Sequence, residues 1–184
     1  MTEKWPEWIR NDIPHIVSVD VETSGPNPAD YDLLSIGACT LVKPKSTFYI
    51  ELQPVTMQST AEANTVHGLD IDRLSTDGTA PDQAMKIFSD WLFETIGKNP
   101  RPLFMGFNAP FDWMFISDYF HRYLGRNPFG HSALDIKSFY MGYAKVPWSG
   151  TSMKNLSVTE LKHNALEDAC DQAKLFEQII LNAV

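Results

Sequence analysis

Two carboxylates, two residues apart, stand near the end of an apolar run: Ile16 to Ser24 reads Ile-Val-Ser-Val-Asp-Val-Glu-Thr-Ser, with Asp20 and Glu22 in its second half. The run alternates and is rich in β-branched residues, which predicts a strand buried in a sheet. Side chains on a strand alternate faces, so Asp20 and Glu22 point the same way, roughly 7 Å apart along the chain. Each raises the pKa of the other and costs desolvation unless a cation sits between them. A solvated strand end before the turn Gly25-Pro26-Asn27-Pro28 is the plainer alternative. The chemical reading is half of a divalent-metal site.

Two further acids occupy informative places. Asp112 lies on an expected helix four residues after Asn108, at the exit of a short buried strand, Pro102 to Phe107. Sites in open α/β sheets collect at such exits. An aspartate in a first turn also favours the helix dipole, which is its structural alternative. Asp168 falls in the first turn of the last helix, where Asn164 and Glu167 have the spacing of a capping pair. In one continuous helix, His163 and Asp168 would stand about 140° apart around the axis. A break at Asn164 removes that restriction and lets both face one cavity. Taken alone, His163 and His67 each read as ordinary surface or structural histidines.

The elements that must carry these residues are legible from periodicity. Leu33 to Val42 and Ser46 to Leu52 follow the first strand after short connections, which predicts an antiparallel meander. Ser59 to Glu62 could open a short helix that Val66-His67-Gly68-Leu69 closes. Thr79, with Asp82 three residues on, is expected to cap a helix whose apolar face holds Ala84, Ile87, Phe88, Trp91, Leu92 and Ile96. Asn108 is expected to cap a helix from Ala109 to Tyr123, ended by Gly125. Ser132 to Ile136 suggests a fifth strand with a helical piece through Tyr143. Val146 to Ser157 reads as a mobile loop, and Ala165 to Asn182 as a helix with Ala169, Ala173, Phe176, Ile179 and Ile180 on one side. Three strands, then strands alternating with helices, describe an α/β chain with a mixed sheet.

Composition narrows the class. At 184 residues, 43% of them hydrophobic, the chain suits one domain with a sizeable core. Residues 1–13 read as an N-terminal extension carrying Trp5 and Trp8, without the pattern of a secretory signal. No apolar run approaches the ~20 residues of a membrane span, so no membrane partner is expected. Cys39 and Cys170 fall in apolar positions and read as reduced thiols, which places the protein in the cytoplasm. The net charge of −8 argues against coating long stretches of nucleic acid. Between His121 and Lys162, however, six basic residues (Arg122, Arg126, Lys137, Lys145, Lys154, Lys162) stand against Asp135 and Glu160 alone. That stretch offers a local phosphate-contacting surface or merely scattered solvated lysines.

Together, Val-Asp-Val-Glu-Thr-Ser-Gly at Val19–Gly25, Phe-Asn-Ala-Pro-Phe-Asp at Phe107–Asp112 and His-Asn-Ala-Leu-Glu-Asp-Ala at His163–Ala169 resemble the motifs of the DEDDh 3′-to-5′ exonucleases. The resemblance covers residues 14–184, nearly the whole chain. It implies a ribonuclease H-like fold, a five-stranded mixed sheet flanked by helices, with the second strand antiparallel to the rest. It also implies hydrolysis of phosphodiester bonds at the 3′ end of single-stranded DNA or RNA, releasing nucleoside 5′-monophosphates. Two Mg2+ or Mn2+ ions would be held by Asp20, Glu22, Asp112 and Asp168, with Asp20 between them and His163 as general base. In-line displacement charges both the attacking and the leaving oxygen, and paired ions stabilise both; four carboxylates without cysteine suit these hard cations. By the same resemblance Thr23 contacts the terminal nucleotide, Leu69 in the Val66–Leu69 segment wedges against its base, and Phe111, His67 and Asn108 are further substrate contacts. Family members are often homodimers, and the N-terminal tryptophans are candidates for such an interface. Trp148-Ser149-Gly150-Thr151-Ser152 matches nothing in the family pattern.

Two other functions compete. A haloacid-dehalogenase-type phosphatase would use Asp20-Val21-Glu22-Thr23 as a variant of Asp-x-Asp-x-Thr, but its downstream lysine and paired acids are missing. A non-catalytic module that binds nucleic-acid ends or a polymerase on the same fold would have no need of five filled catalytic positions.

Overall fold

Strand order follows from which residues cannot face water. Ile16–Thr23 forms β1, buried along its length except at half-buried Asp20, as expected of a strand with neighbours on both edges. The computed structural model describes residues 4–156 and 163–181. In it β2 (Leu33–Thr40) pairs antiparallel with β1, and β3 (Thr47–Glu51) antiparallel with β2. On the other edge of β1, β4 (Leu103–Gly106) and then β5 (Ala133–Asp135) add in parallel. The sheet order is β3-β2-β1-β4-β5, with β2 alone running against the other strands.

The helices among the described residues are α1 (Glu7–Arg10), α2 (Ala61–His67), α3 (Ile71–Asp77), α4 (Pro81–Thr95), α5 (Pro110–Leu124), α6 (Ile136–Ala144), α7 (Met153–Leu156) and α8 (Ala165–Ile180). They divide between the two faces of the sheet. Val17, Val19 and Val21 pack with Phe88 and Leu92 of α4 and with Phe115, Ile116 and Phe120 of α5. On the opposite face Ile16, Cys39 and Met105 pack with Ile136 of α6 and with Phe176, Ile179 and Ile180 of α8. Each buried side chain of this size contributes about 1.5–3 kcal/mol, so these two clusters hold the sheet between its helix layers. Since Val17, Val19 and Val21 face α4 and α5, Asp20 and Glu22 face α8.

The approach of α8 to the sheet depends on small residues. Its first turns bury Ala165, Ala169 and Ala173, whereas its far end buries Phe176, Ile179 and Ile180. Gly37 on β2 lies opposite Asp20. A Cβ there would stand 2.1 Å from the backbone carbon of Ala165. The missing side chain of Gly37 therefore seats the start of α8, and Asp168 with it, beside Asp20.

The N-terminal residues join the second cluster through Trp5, Ile9 and Ile13. Of the two tryptophans suggested for an interface, Trp5 is buried and Trp8 is exposed. Trp91 packs against Phe48 and Phe88, as its place on the apolar face requires. Cys39 and Cys170 are free thiols. No described helix is long and apolar enough to cross a membrane.

Local chemistry departs from expectation in several places. Thr79 does not cap α4: Ala80 holds the cap position, Pro81 opens the helix, and no side chain caps it. Thr79 instead bridges to Leu52, its N–H donating to the Glu51 carbonyl and its carbonyl accepting from Gln53. Asn108 likewise does not cap α5, because its φ of 64° turns the chain left-handed one residue before the cap position at Ala109. Pro81 and Pro110, at the starts of α4 and α5, each supply a preset φ and have no N–H to satisfy, which removes part of the need for a side-chain cap. The segment expected to be a mobile loop holds a 3-10 turn, Trp148–Thr151, and α7; Ser157 lies outside the described residues. The irregular stretch before α4 contains α3, capped by Asp70, which accepts the Arg73 N–H.

Candidate active site

The carboxylates converge at the C-terminal end of β1. Asp20, Glu22 and Asp168 each place an oxygen within 4.8 Å of the others. Asp20 and Glu22 do so because they alternate along one strand. Asp168 does so because Asn164 starts α8 at the right point, accepting the Glu167 N–H at 3.1 Å. Asp112 lies in the first turn of α5, buried, and its Oδ1 accepts the Val21 N–H at 3.1 Å. That bond ties the fourth acid to the backbone between the first two. Three carboxylates of one charge this close repel strongly, and water is largely excluded from them.

The protonation equilibria show the cost. Burial pushes Asp20 well above the usual carboxylate range, and the charges of Asp112, Glu22 and Asp168 push it the same way. Burial, then the Asp168 charge, raises Glu22 to about 7. Burial also raises Asp112 to about 8, against the pull of the Val21 and Asp112 N–H groups; the charges of Glu22 and Asp135 add to the rise. Only a cation among them relieves this frustration while keeping all of them ionised. An all-oxygen donor set of this kind fits Mg2+ or Mn2+.

One polar residue that the sequence did not flag acts on Asp20. Gln172, buried on α8, donates Nε2 to Asp20 Oδ1 at 2.6 Å and accepts the Phe107 N–H on Oε1 at 2.9 Å. Its signal was present: it lies four residues after Asp168, on the side of the helix that the alanines bury. Asp135 is a second unflagged residue. It ends β5, accepts the Ala109 N–H at 3.1 Å and caps α6 through Ser138. Both fix the strand exits that surround the acids.

The remaining site residues divide. Thr23 and Phe111 line one cavity of about 340 Å3 with Glu22, Gly25, Pro26, Thr60 and Val66. The Thr23 hydroxyl donates to the Gly25 carbonyl at 2.9 Å, which fixes the turn that forms one wall. Leu69 is not brought to this cavity; it lines another with Met57, Ser59, Asn64 and Asp70. Val66, on α2, stands in the wall where the sequence put Leu69. Gly68, with φ of 60°, ends α2 and turns Leu69 away. His67 closes α2, and its side chain lies outside the described residues. Asn108 is exposed and shapes the β4 exit through its left-handed backbone. His163 is exposed just before the Asn164 cap, at φ of 53°, outside α8 as the break at Asn164 requires.

The basic stretch disperses. Arg122 pairs with Asp118 on α5, and Arg126 lies over Phe93. Lys137 lies over Trp148 and Phe107, at the β4 exit. The Lys162 position and the Lys154 side chain lie outside the described residues.

Comparison with known proteins agrees with this geometry. The model of the exonuclease family named RNase_T matches residues 17–176. The chain is 44% identical over 176 residues to the 3′-5′ DNA exonuclease Cap18 of Escherichia coli, covering 93% of this chain and 94% of that one. Among solved structures, the nuclease domain of 3′hExo, a DEDDh family member bound to rAMP, superposes with a TM-score of 0.73 at 17% identity, over 91% of this chain and 92% of that one. Escherichia coli exonuclease I in complex with a dT13 oligonucleotide gives 0.71 at 14% identity, over 91% of this chain but 42% of that one. The five-stranded sheet with its reversed second strand is thus the ribonuclease H-like fold of DEDDh exonucleases.

Proposed function

The chain belongs to the exonuclease family, a family of nuclease enzymes, and from that premise we propose that it is a divalent-metal-dependent 3′-to-5′ exonuclease acting on single-stranded DNA ends. The convergence of Asp20, Glu22 and Asp168 within 4.8 Å carries the proposal. The identity with a DNA exonuclease over 93% of the chain favours DNA over RNA.

In the proposed reaction the 3′-terminal nucleotide fills the cavity between Thr23, Val66 and Phe111, where Phe111 offers a face for its base. Asp20, Glu22 and Asp168 would hold two Mg2+ or Mn2+ ions with Asp112, and these ions supply the positive charge that in-line displacement at phosphorus demands. Asp20 is held in place for this by Gln172, and Asp112 by the Val21 N–H. His163 takes a proton from the attacking water, a role that an imidazole can fill near neutral pH. A new P–O bond to that water forms, the bond from phosphorus to the O3′ of the preceding nucleotide breaks, and that oxygen leaves with a proton. The product is a nucleoside 5′-monophosphate. A cytoplasmic setting is part of this proposal, since a chain with only two cysteines suits a reducing compartment.

Digestion of a 5′-labelled single strand with manganese tests this reading. A ladder shortening from the 3′ end, with mononucleotide as the other product, is expected. An internal cleavage pattern, or no cleavage with either metal, contradicts it.

A further inference from the structure

Trp148 is 51% exposed, yet the turn that presents it is firmly built. Pro147 precedes it, the Thr151 hydroxyl donates to the Trp148 carbonyl at 2.8 Å, and the Gly150 N–H donates to the Pro147 carbonyl at 2.8 Å. Thr151 itself is fully buried, so the turn is anchored and its indole is not. Lys137 Nζ sits 4.3 Å from the centre of that ring and 5.8 Å from the centre of the Phe107 ring. A surface cation–π contact alone stabilises little and leaves most of the indole wet.

The position of this group is the informative part. Phe107 directly follows β4, and Lys137 lies in the first turn of α6, just after β5. β1, β4 and β5 are parallel, so Phe107 and Lys137 sit at the same end of the sheet as Glu22, the end where these strands finish. Contacts close the distance to the acids: the Phe107 N–H donates to Gln172, which donates to Asp20. None of Phe107, Lys137 and Trp148 lines the cavity of Thr23 and Phe111. That cavity reaches the acids through Glu22, whereas the Trp148 shelf reaches them through Gln172 and Asp20.

We propose that Lys137 and Trp148 form the subsite for the second and later nucleotides on the 5′ side of the scissile bond, which a dinucleotide does not reach, Trp148 stacking a base and Lys137 meeting a phosphate. This rests on the exonuclease reading above. A strand with its last nucleotide in the Thr23 cavity lays the scissile phosphate at the acids and its next bases toward the shelf. In a chain of net charge −8, a lysine at the rim of an acidic centre is where a polyanion gains attraction instead of repulsion. Aromatic stacking accepts any base, so the subsite gives length preference without sequence preference.

The test compares a dinucleotide with a hexanucleotide, in steady-state cleavage and in anisotropy of a labelled hexanucleotide. Trp148→Ala is expected to raise KM for the hexanucleotide about tenfold, on the scale of one lost base stack, with kcat and all dinucleotide constants unchanged. Trp148→Phe should restore most of the loss. Lys137→Ala should flatten the dependence of log affinity on log salt by about 0.7, the value for one single-strand phosphate. Equal losses on both substrates, or none on either, overturn the subsite. If the wild type cleaves neither substrate, the exonuclease reading fails, and anisotropy decides the subsite alone: weaker hexanucleotide binding by Trp148→Ala supports it and unchanged binding overturns it.

Discussion

Gln172 and Asp20, 152 residues apart in sequence, are joined by a 2.6 Å hydrogen bond whose direction is fixed by a second bond from Phe107 N–H to Gln172 Oε1 at 2.9 Å. Because Oε1 is occupied by a donor, Nε2 must face the carboxylate. One oxygen of Asp20 is thereby fixed. The bond also opposes the burial and repulsion that push Asp20 toward protonation. Residues that orient ligands in this way typically change metal affinity or activity by about 10–100-fold when replaced. Gln172→Met, which keeps the shape and removes both bonds, should raise the manganese concentration for half-maximal activity at least about tenfold on that scale. Calorimetric titration with manganese should show the same shift. An unchanged half-saturation with only a lowered melting temperature would reduce Gln172 to a packing residue.

The raised acids set the pH dependence of the metal-free protein. Glu22 at about 7 and Asp112 at about 8 lie above their ordinary values of about 4. Between those limits the folded chain binds more protons than the unfolded one, so stability falls as pH rises from about 4 to about 8. Divalent cations favour the ionised forms and bind the folded state, so their stabilisation grows over the same window. Melting curves with chelator and with millimolar manganese at pH 5.5 and 8 should show the larger metal effect at pH 8. The reverse order would contradict the placement of cations among these acids.

Gly37 is a structural dependency of the site. A methyl there meets the backbone of Ala165 at 2.1 Å, and backbone cannot rotate aside. Gly37→Ala should destabilise by about 1–3 kcal/mol, the range for overpacking, and should reduce activity because Asp168 moves with α8. Denaturant midpoints read the first effect and initial rates the second. Full activity at unchanged stability would mean that α8 is not seated as described.

His163 and the acids should separate by readout. His163→Ala is expected to lower the rate at least ~100-fold, the scale of general-base loss, while manganese binding persists. A His163→Ala enzyme as fast as the wild type would remove the histidine from the reaction.

The sequence made local relations legible and left distant ones hidden. Period-two alternation placed Asp20 and Glu22 on one face, and the Asn164 cap placed Asp168 in a first turn; both depend on a few neighbouring residues. The Gln172–Asp20 bond depends on how α8 lies on β1, and nothing near Gln172 in sequence encodes its partner. Gly37 was similarly silent, since its role is the absence of an atom against a helix more than a hundred residues away. Thr79 and Asn108 carried cap chemistry that their backbones do not use, because Pro81 and Pro110 open those helices instead. Val66 and Leu69 differ by three residues, and the left-handed turn at Gly68 sends only the first to the cavity beside Glu22.

Manganese binding, followed by calorimetry or by loss of the free-ion electron paramagnetic resonance signal, tests the central claim most directly. The account predicts saturable binding of two ions per chain by the wild type and its loss in Asp20→Asn with the fold intact. No saturable binding by the wild type, or equal binding by Asp20→Asn, would contradict it.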